Sequence, residues 1–222
     1  MATTTHRPVV RLYQPGDRAA MDDVCARTAD AGGDSRETFP DLQLLSSIFA
    51  APYAVLEPEL AFVLDDGERA VGYIVGTADT PAFVKRFRGE WLPAVADRYP
   101  APTTEPTAEP VTPSEGMVRL MHWPERMLVP ELAAYPAHLH IDLLPEHQRS
   151  GHGRELMAAF LNALSERGVP AVHLGMLSSN TPARAFYDRL GFHEIDVPDA
   201  GEITYLGRST EFTGSGYSSG LQ

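Results

Sequence analysis

The sequence has 222 residues, of which 43% are hydrophobic, and its formal net charge is −12 at pH 7. The apolar fraction suffices for a substantial core. The acidic balance argues against a nucleic acid or an anionic membrane surface as a partner and is compatible with a cationic substrate such as an amine. The single cysteine, Cys25, excludes an internal disulfide and fits a reducing compartment. Because the sequence has no 18-residue apolar span, we expect a soluble protein of the cytoplasm.

The N-terminal part of the chain predicts a strand followed by two helices. Residues 9–13 alternate weakly between apolar and polar side chains, which favours a strand. The following helix is predicted to begin at Asp17, whose carboxylate suits an N-terminal cap. A second helix is predicted over about 40–49, with its larger apolar side chains turned inward.

A hairpin follows these helices. Two apolar runs at 60–64 and 70–77 flank a short acidic turn that contains Gly67, which is a typical hairpin pattern. Gly72 and Gly76 interrupt the second run. Glycine inside a strand predicts a bulge or a close approach of another part of the backbone.

Residues 80–135 are the least regular part of the chain. Bulky apolar residues recur at helical spacing from Phe83 onwards, which favours a helix that packs against the core. Residues 100–113 are rich in proline, with threonine and glutamate between, and predict a surface loop. A strand is predicted over 118–122 and a short helix over 125–134. By its length the segment is an insertion rather than an independent domain.

Residues 137–192 predict a strand, a glycine loop, a helix, a strand and a second helix. Residues 137–144 form an apolar-rich run that suits a buried strand. The loop 148–154 precedes a helix whose apolar residues recur every three or four positions. Another strand is predicted over 171–177, and a short helix begins at Thr181. A strand–helix–strand unit of this length predicts a parallel crossover.

The loop between that first strand and its helix predicts an anion site. A helix N-terminus presents unpaired N–H groups and partial positive charge, and Gly151 and Gly153 keep the backbone open to a phosphate. Three side chains add hydrogen-bond donors, namely Arg149, His152 and Arg154. The spacing excludes a dinucleotide loop, because Leu156 occupies the third glycine position, and it excludes a P-loop, because no lysine follows.

The remaining pattern consists of the glycine loop and several residues downstream, namely Gln148, Gly151, Gly153, Asn180, Phe186, Tyr187, Gly191 and Phe192. With these residues together, the chain resembles the GCN5-related N-acetyltransferase (GNAT) family. Over roughly 8–209 it is similar to one branch, the bacterial relatives of the acetyltransferase-like C-terminal domain of O-GlcNAc hydrolases. The resemblance implies a mixed α/β fold with a splayed central sheet flanked by helices. It also implies acetyl-CoA as the co-substrate and no metal.

The resemblance implies a single domain over 1–209. Within it, 137–192 would be the acetyl-CoA-binding half. The insertion at about 80–135 would lie beside the acceptor end of the cleft, where we expect it to shape the choice of acceptor. Two closing strands are predicted, at 193–197 and 202–207. The residues 210–222 are rich in glycine and serine and predict a flexible tail.

The resemblance also implies which residues hold acetyl-CoA. Backbone groups of the strand before the loop would pair with the pantetheine arm, the loop would hold the pyrophosphate, and the last helix would complete the site. The residues so implied are Ile141, Asp142, Leu143, Gln148, Arg149, Ser150, Gly151, His152, Gly153, Arg154, Asn180, Ala183 and Tyr187.

Transfer of an acyl group from a thioester to an amine also needs an acid for the leaving thiolate and a base for the amine. Tyr187 matches the family's general-acid tyrosine, and a phenol with pKa about 10 suits that role. The alternative for Tyr187 is a core residue whose ring packs inward. Asn180 is predicted to cap its helix, to bind the cofactor, or to do both.

The base is predicted on the strand before the loop. His138, His140 and Asp142 share one face of that strand, because side chains alternate with period two. Asp142 and His140 are the candidate bases, acting directly or through water, and a structural His–Asp pair is the alternative. A metal site is not expected, because the sequence has no histidine pair four residues apart on a helix and no cysteine ligand there.

The predicted function is transfer of the acetyl group of acetyl-CoA to an amine acceptor. The pattern leaves the acceptor open between a small molecule and a protein lysine or N-terminus, and it predicts no oligomeric state. The alternative is a catalytically inactive acetyl-CoA- or CoA-binding or scaffolding module, a pseudo-acetyltransferase.

Overall fold

The computed structural model describes residues 7–103 and 110–211. Within these ranges the chain forms a seven-stranded mixed sheet with helices on both faces, which confirms the predicted mixed α/β fold. The predicted loose lead at 1–6, part of the proline-rich loop (104–109) and most of the predicted tail (212–222) lie outside the described residues.

The described helices are α1 (Arg18–Thr28), α2 (Leu42–Phe49), α3 (Ala51–Leu56), α4 (Thr80–Arg86), α5 (Leu92–Val95), α6 (Pro113–Met121), α7 (His152–Glu166) and α8 (Thr181–Arg189). A π-helical turn, Phe87–Trp91, joins α4 to α5. The predicted helix over 40–49 is confirmed by α2. The helix α3, which starts with Pro52 in its first turn, was not predicted from the sequence.

The described strands are β1 (Val9–Leu12), β2 (Ala61–Asp65), β3 (Ala70–Thr77), β4 (Ala137–Leu143), β5 (Ala171–Leu177), β6 (His193–Ile195) and β7 (Ile203–Ser209). They lie in the sheet in the order β1-β2-β3-β4-β5-β7-β6. The β2–β3 hairpin is antiparallel as predicted. The β4 and β5 strands run parallel, so the predicted crossover through α7 is confirmed.

Helix α1 begins where the sequence predicts, but Asp17 does not cap it. The Arg11 guanidinium donates two hydrogen bonds of 2.7 Å to the Asp17 carboxylate. This contact lowers the pKa of Asp17. The cap prediction was wrong because a partner on the neighbouring strand competes for the carboxylate, which local sequence does not show.

The sheet is covered by a helical layer on each face. Helices α1 to α3 cover the face that carries His138 and His140, and the Tyr53 hydroxyl of α3 lies within hydrogen-bond distance of both rings. Helix α7 covers the opposite face, where the Phe160 ring lies against Gly76. A continuous cluster of buried apolar side chains joins the sheet to both layers.

The insertion contains a helix where a strand was predicted. Residues 118–122 fall largely in α6, which starts at Pro113 and is capped by the Thr112 hydroxyl, an acceptor for the Glu115 amide at 3.1 Å. The helix prediction over 125–134 was also wrong. That segment instead holds two 3₁₀ turns, Pro124–Met127 and Pro130–Leu132, because a proline does not continue a helix from the residues before it.

The apolar stripe at the start of the insertion packs inward as predicted. Phe83, Phe87 and Trp91 are buried, and the Trp91 indole N–H donates to the Ser47 carbonyl of α2 at 2.9 Å. These contacts attach the insertion to the same helical layer that covers β4.

Candidate active site

Strands β4 and β5 separate after their first residues. Within the described residues, the register pairs Ala137 with Val172 and His138 with His173 and then stops, although both strands continue. The two halves of the sheet therefore diverge at its centre. We call the resulting gap the splay.

The edge of β4 that borders the splay has free backbone groups. The Leu144 amide donates to the Val71 carbonyl at 3.0 Å, on the β3 side. Because backbone groups alternate along a strand, those of Ile141 and Leu143 point the other way, into the splay. An extended ligand can therefore pair with this edge of β4 as an additional strand would.

The glycine loop lies at the end of this edge. The Gln148 side-chain amide donates to the Leu143 carbonyl at 2.9 Å, which ties the loop to the end of β4. Arg149 and Gly151 both have positive φ, at 60° and 90°, and turn the chain into α7. A side chain at Gly151 would meet no protein atom within 4 Å, so glycine is required there for its backbone conformation.

The charged groups of the loop face solvent. Arg149, Ser150 and Arg154 are exposed, and neither arginine forms an ion pair within the described part of the chain. Together with the first amides of α7 they provide donors for an anion. The His152 ring, in contrast, is 9% exposed, so the loop offers its backbone more readily than its imidazole.

The structure gives Gly153 a packing role, which differs from the phosphate access predicted from its place in the loop. A Cβ at this position would lie 3.1 Å from the Phe186 ring of α8. The glycine therefore permits α7 and α8 to pack closely beside the splay. The Asn180 side chain caps α8 and accepts a hydrogen bond from the Ala183 amide at 3.1 Å, which confirms its predicted capping role.

Tyr187 lies on α8 with its ring between Phe186 and Phe192. It is 8% exposed, and within the described residues its hydroxyl has no hydrogen-bond partner. Burial, and after it the charge of Asp142, raises the pKa of this phenol. A hydroxyl without a protein partner can donate to a bound ligand.

The Asp142 side chain faces Thr28 of α1 and is half-buried. The Tyr73 hydroxyl on β3 donates to its carboxylate at 2.6 Å. Burial raises the pKa of Asp142, and the Tyr73 hydrogen bond opposes that shift. Cys25 is buried nearby, and burial raises the pKa of its thiol, so the cysteine is an inert core residue as the sequence favours.

The histidines of β4 are linked through a tyrosine. The Tyr53 hydroxyl lies 2.7 Å from His138 Nε2 and 3.2 Å from His140 Nε2, and His138 Nδ1 lies 2.7 Å from the Thr80 hydroxyl. Burial lowers the pKa of His138 well below its usual value and that of His140 to about 3. Both imidazoles are therefore neutral at pH 7. The predicted His–Asp pair is replaced by this Tyr53-centred cluster.

Across the splay, β5 and β7 present an open surface on the same face of the sheet. Gly175 and Leu177 of β5 are exposed, and their register partners Tyr205 and Ile203 are half-buried. A Cβ at Gly175 would lie 3.2 Å from the Tyr205 ring, so a larger residue would displace that tyrosine. We call Gly175, Leu177, Ile203 and Tyr205 the β5–β7 surface.

Known proteins share both the sequence and the arrangement of this chain. A crystal structure named SsHAT has 64% sequence identity, covers 92% of this chain and 98% of its own, and superposes with a TM-score of 0.86. The model of the acetyltransferase (GNAT) family matches residues 116–192, which include β4, the glycine loop and Tyr187. The chain belongs to the GNAT family.

More distant relatives differ in how much they share. Protein O-GlcNAcase of Mus musculus is 25% identical over 205 residues, which cover 90% of this chain and 22% of the mouse protein. The chain thus spans about a fifth of the length of the curated relatives it matches first. The structure of yncA from Salmonella typhimurium, solved with its cofactor acetyl-CoA, is 14% identical, covers 93% of this chain and 96% of its own, and has a TM-score of 0.51. The likeness to yncA shows a common fold.

In this GNAT protein, most of the residues singled out from the sequence border the splay. Ile141, Asp142 and Leu143 come from β4, the loop follows directly, and Asn180, Ala183 and Tyr187 come from α8. Sequence reasoning missed Tyr53, which joins the two histidines, and Arg126, whose charge acts on Tyr53 and Tyr205. No local motif marks either residue, because each reaches the site from a separate helical segment.

Two further findings concern other kinds of site. Among the described residues, no group of three histidine, cysteine or acidic side chains is placed to hold a metal ion. No helix in the described ranges has the length and apolar character needed to cross a bilayer.

Proposed function

We propose that this GNAT protein transfers the acetyl group of acetyl-CoA to the nitrogen of an amine acceptor. The observation that carries the proposal is the splay, an open strand edge that ends in a glycine loop and a helix N-terminus. An extended arm with an anionic end matches this combination of features. Acetyl-CoA has both an extended pantetheine arm and a pyrophosphate.

The donor would lie along β4. Backbone groups of Ile141 and Leu143 would pair with the pantetheine amides, and residues Gln148 to Arg154 would surround the pyrophosphate. An amide of β4 that points into the splay, that of Ile141 or Leu143, would lie near the thioester and stabilise the oxyanion of a tetrahedral intermediate. Asn180 and Ala183, at the start of α8, would border the arm from the other side.

Acetyl-CoA supplies an activated acyl group and a thiolate leaving group. When the amine nitrogen bonds to the acyl carbon and the carbon–sulfur bond breaks, the thiolate requires a proton. The Tyr187 hydroxyl is the donor best suited to supply it, because it has no hydrogen-bond partner within the described residues and stays protonated at neutral pH. Its pKa, raised by burial and Asp142, keeps the phenol in the acid form before each turnover.

The amine must lose a proton, and Asp142 is the stronger candidate for that base. Its pKa is raised by burial, towards the range where a carboxylate accepts a proton near neutral pH. His140 has a pKa near 3, which makes it a weak base. We assign His140 to accepting a hydrogen bond from the amine or from a water that leads to Asp142.

One finding favours a second function in which the site binds without transfer. The first curated relatives are O-GlcNAcases, proteins not named for acetyl transfer. In that case the splay would hold acetyl-CoA or CoA in a scaffolding module, and Tyr187 would be a core tyrosine.

Calorimetric titration of the protein with acetyl-CoA and with CoA tests the donor site. Binding of both, followed by release of free thiol in the presence of an amine, supports the transferase. Binding without thiol release across a broad amine panel supports the scaffolding module instead. No heat at millimolar concentration of either ligand would reject acetyl-CoA as the occupant of the splay.

A further inference from the structure

Arg126 lies in the insertion, close to the splay. Arg126 lies on the 3₁₀ turn Pro124–Met127 and is half-buried. Its charge acts on the phenols of Tyr53 and Tyr205 and on the imidazoles of His138 and His140. Because the Sδ atom of the adjacent Met127 lies 3.8 Å from the Tyr53 hydroxyl, the turn that carries Arg126 lies beside α3 and the β4 histidines that Tyr53 contacts.

The turn that carries Arg126 is fixed in place. The Arg88 guanidinium donates to both carboxylate oxygens of Glu125 at 2.5 Å, and Met127 Sδ lies 3.8 Å from the Tyr53 hydroxyl. These contacts on both sides of Arg126 hold its backbone over the site. Its orientation is thus set by the fold rather than by a partner for its own side chain.

The Arg126 guanidinium is an uncompensated charge. Within the described residues it forms no ion pair or side-chain hydrogen bond, and the groups that act on it are phenols. Burial lowers its pKa, which records the cost of removing this cation from water, but an arginine keeps its charge at neutral pH. The neighbouring imidazoles of His138 and His140 are neutral and supply no counter-charge.

The groups around Arg126 define the chemistry of an occupant. The phenol rings of Tyr53 and Tyr205, on which the Arg126 charge acts, provide aromatic contact area near this positive charge. Asp142, on the same face of β4 as the histidines, already accepts a hydrogen bond from Tyr73, and Glu57 accepts hydrogen bonds from the Thr77 hydroxyl and the Ala78 amide. A cationic chain, such as a polyamine or an extended lysine-rich peptide, would meet repulsion here despite the overall acidity of the protein.

We propose that Arg126 selects an amine acceptor that carries a carboxylate, with the carboxylate on the guanidinium and the amine directed towards the splay. This inference rests on the proposed transfer function and narrows its acceptor class. A guanidinium presents two parallel N–H groups that match a carboxylate, and one arginine balances one negative charge. Both a free amino acid and a short peptide with a nearby acidic group satisfy this chemistry.

The test compares acids with their amides and adds one cationic amine. Phenylalanine is paired with phenylalaninamide and methionine with methioninamide, cadaverine serves as the cationic amine, and the C-terminally amidated dipeptide Phe-Asp is paired with C-terminally amidated Phe-Asn. Binding of each to the CoA-saturated protein is measured by calorimetry, and thiol release from acetyl-CoA is measured in parallel. We expect each acid to exceed its amide by about tenfold or more in affinity, because a charge-assisted bidentate contact is lost in the amide.

Two variants locate this preference at Arg126. Arg126→Met keeps the apolar stem and removes the charge, so it should abolish the acid-over-amide preference, and Arg126→Lys should retain part of it. Arg36→Met, at an exposed arginine paired with Asp34, is the control and should behave as wild type. The affinity for acetyl-CoA should not change in any of these variants.

The two readouts separate failure of this inference from failure of transfer. Preferential binding of the acids without thiol release would leave the acceptor class intact and reject transfer. Thiol release with equal use of acid and amide, with preference for cadaverine, or with no effect of Arg126→Met would overturn the inference and leave transfer standing. Failure of every carboxylate to bind would also overturn it.

Discussion

At the scale of single residues, the packing role of the Tyr187 ring can be separated from the proposed chemical role of its hydroxyl. Its ring packs against two phenylalanines, while its hydroxyl has no hydrogen-bond partner in the described chain. Removing the oxygen therefore keeps the packing and leaves no buried group unsatisfied. A loss of activity after removal of this oxygen would therefore report on the chemical role of the hydroxyl.

Tyr187→Phe is expected to lower the rate of thiol release by about a hundredfold or more, the usual contribution of a positioned general acid. The acetyl-CoA dissociation constant should stay within about threefold of wild type, since the oxygen acts on the leaving group. Stopped-time thiol assays and calorimetry measure the two quantities. Tyr135→Phe is the matched control, because its hydroxyl contacts His193 at the surface. An unchanged rate in Tyr187→Phe would remove it from the acid role.

A pair of glycines tests the anion site in the same way. Gly151 and Gly168 lie at opposite ends of α7, both have positive φ, and at both positions a Cβ would meet no atom within 4 Å. Valine at either position should destabilise the fold by about 1–2 kcal/mol through backbone strain. Only Gly151→Val should also abolish CoA binding, because its side chain would occupy the space proposed for the pyrophosphate. Equal loss of CoA affinity in both variants would mean that the loss results from destabilisation of the fold and not from a blocked anion site.

The sequence predicted these residues unevenly. It identified Tyr187, Asn180 and the glycine loop, because their spacing is local and carries a family pattern. It assigned Gly153 to phosphate access, whereas the structure relates this glycine to the Phe186 ring. Such a contact joins two helices, and no spacing within one helix reveals it.

At the scale of elements, the packing of β3 between β4 and α7 depends on one missing side chain. A Cβ at Gly76 would approach both the His138 carbonyl and the Phe160 ring within the van der Waals contact distance. The sequence predicted a close approach at this strand glycine, and the prediction is confirmed. The identity of the approaching groups required the register of β3 with β4.

Gly76→Ala is expected to lower the free energy of unfolding by about 1–3 kcal/mol, since the added methyl group overpacks a rigid site. Urea denaturation followed by circular dichroism measures the change. The control is Gly89→Ala, in the π-helical turn, where a Cβ meets nothing within 4 Å and should be neutral or stabilising. A wild-type midpoint for Gly76→Ala would show that β3 and α7 can move apart at no cost.

Element prediction failed mainly in the insertion. Residues 118–122 were predicted as a strand, yet Thr112 and Pro113 before them form a helix start. The start signal was masked by the proline-rich composition around it. The predicted influence of the insertion on acceptor choice stays a prediction, and Arg126 gives it a specific residue.

At the scale of the whole molecule, buried neutral histidines couple the fold to pH. His140 titrates near 3 in the folded protein and near 6.5 when exposed, so the unfolded chain binds a proton that the folded chain excludes. The stability contribution is complete above pH 6.5 and is lost as the pH falls towards 3. The expected slope is about 1.4 kcal/mol per pH unit for this histidine in the interior of that window.

His140→Gln should make the dependence of unfolding free energy on pH shallower between pH 6.5 and 3, because glutamine can still accept a hydrogen bond from Tyr53 but does not titrate. Denaturant unfolding at several pH values measures the two slopes. Parallel profiles for wild type and variant would mean that His140 is protonated in the folded protein.

Some predictions at this scale stay predictions. The single domain over 1–209 and the cytoplasmic location rest on the sequence, and the described residues do not bear on the oligomeric state. The net charge of −12 is compatible with a cationic substrate. A global charge sums over the surface, whereas Arg126 acts at one place, and the two need not agree in sign.

The short pairing of β4 with β5 has a mechanical consequence. Two residue pairs connect strands β1 to β4 with strands β5 to β7, so the sheet consists of two stiff plates joined along a narrow hinge. A ligand arm bonded to Ile141 and Leu143 would brace the plates along their open side. Binding would then stiffen the protein as a whole, and amides far from the ligand, on β7 as well as on β4, would exchange with deuterium more slowly in the complex.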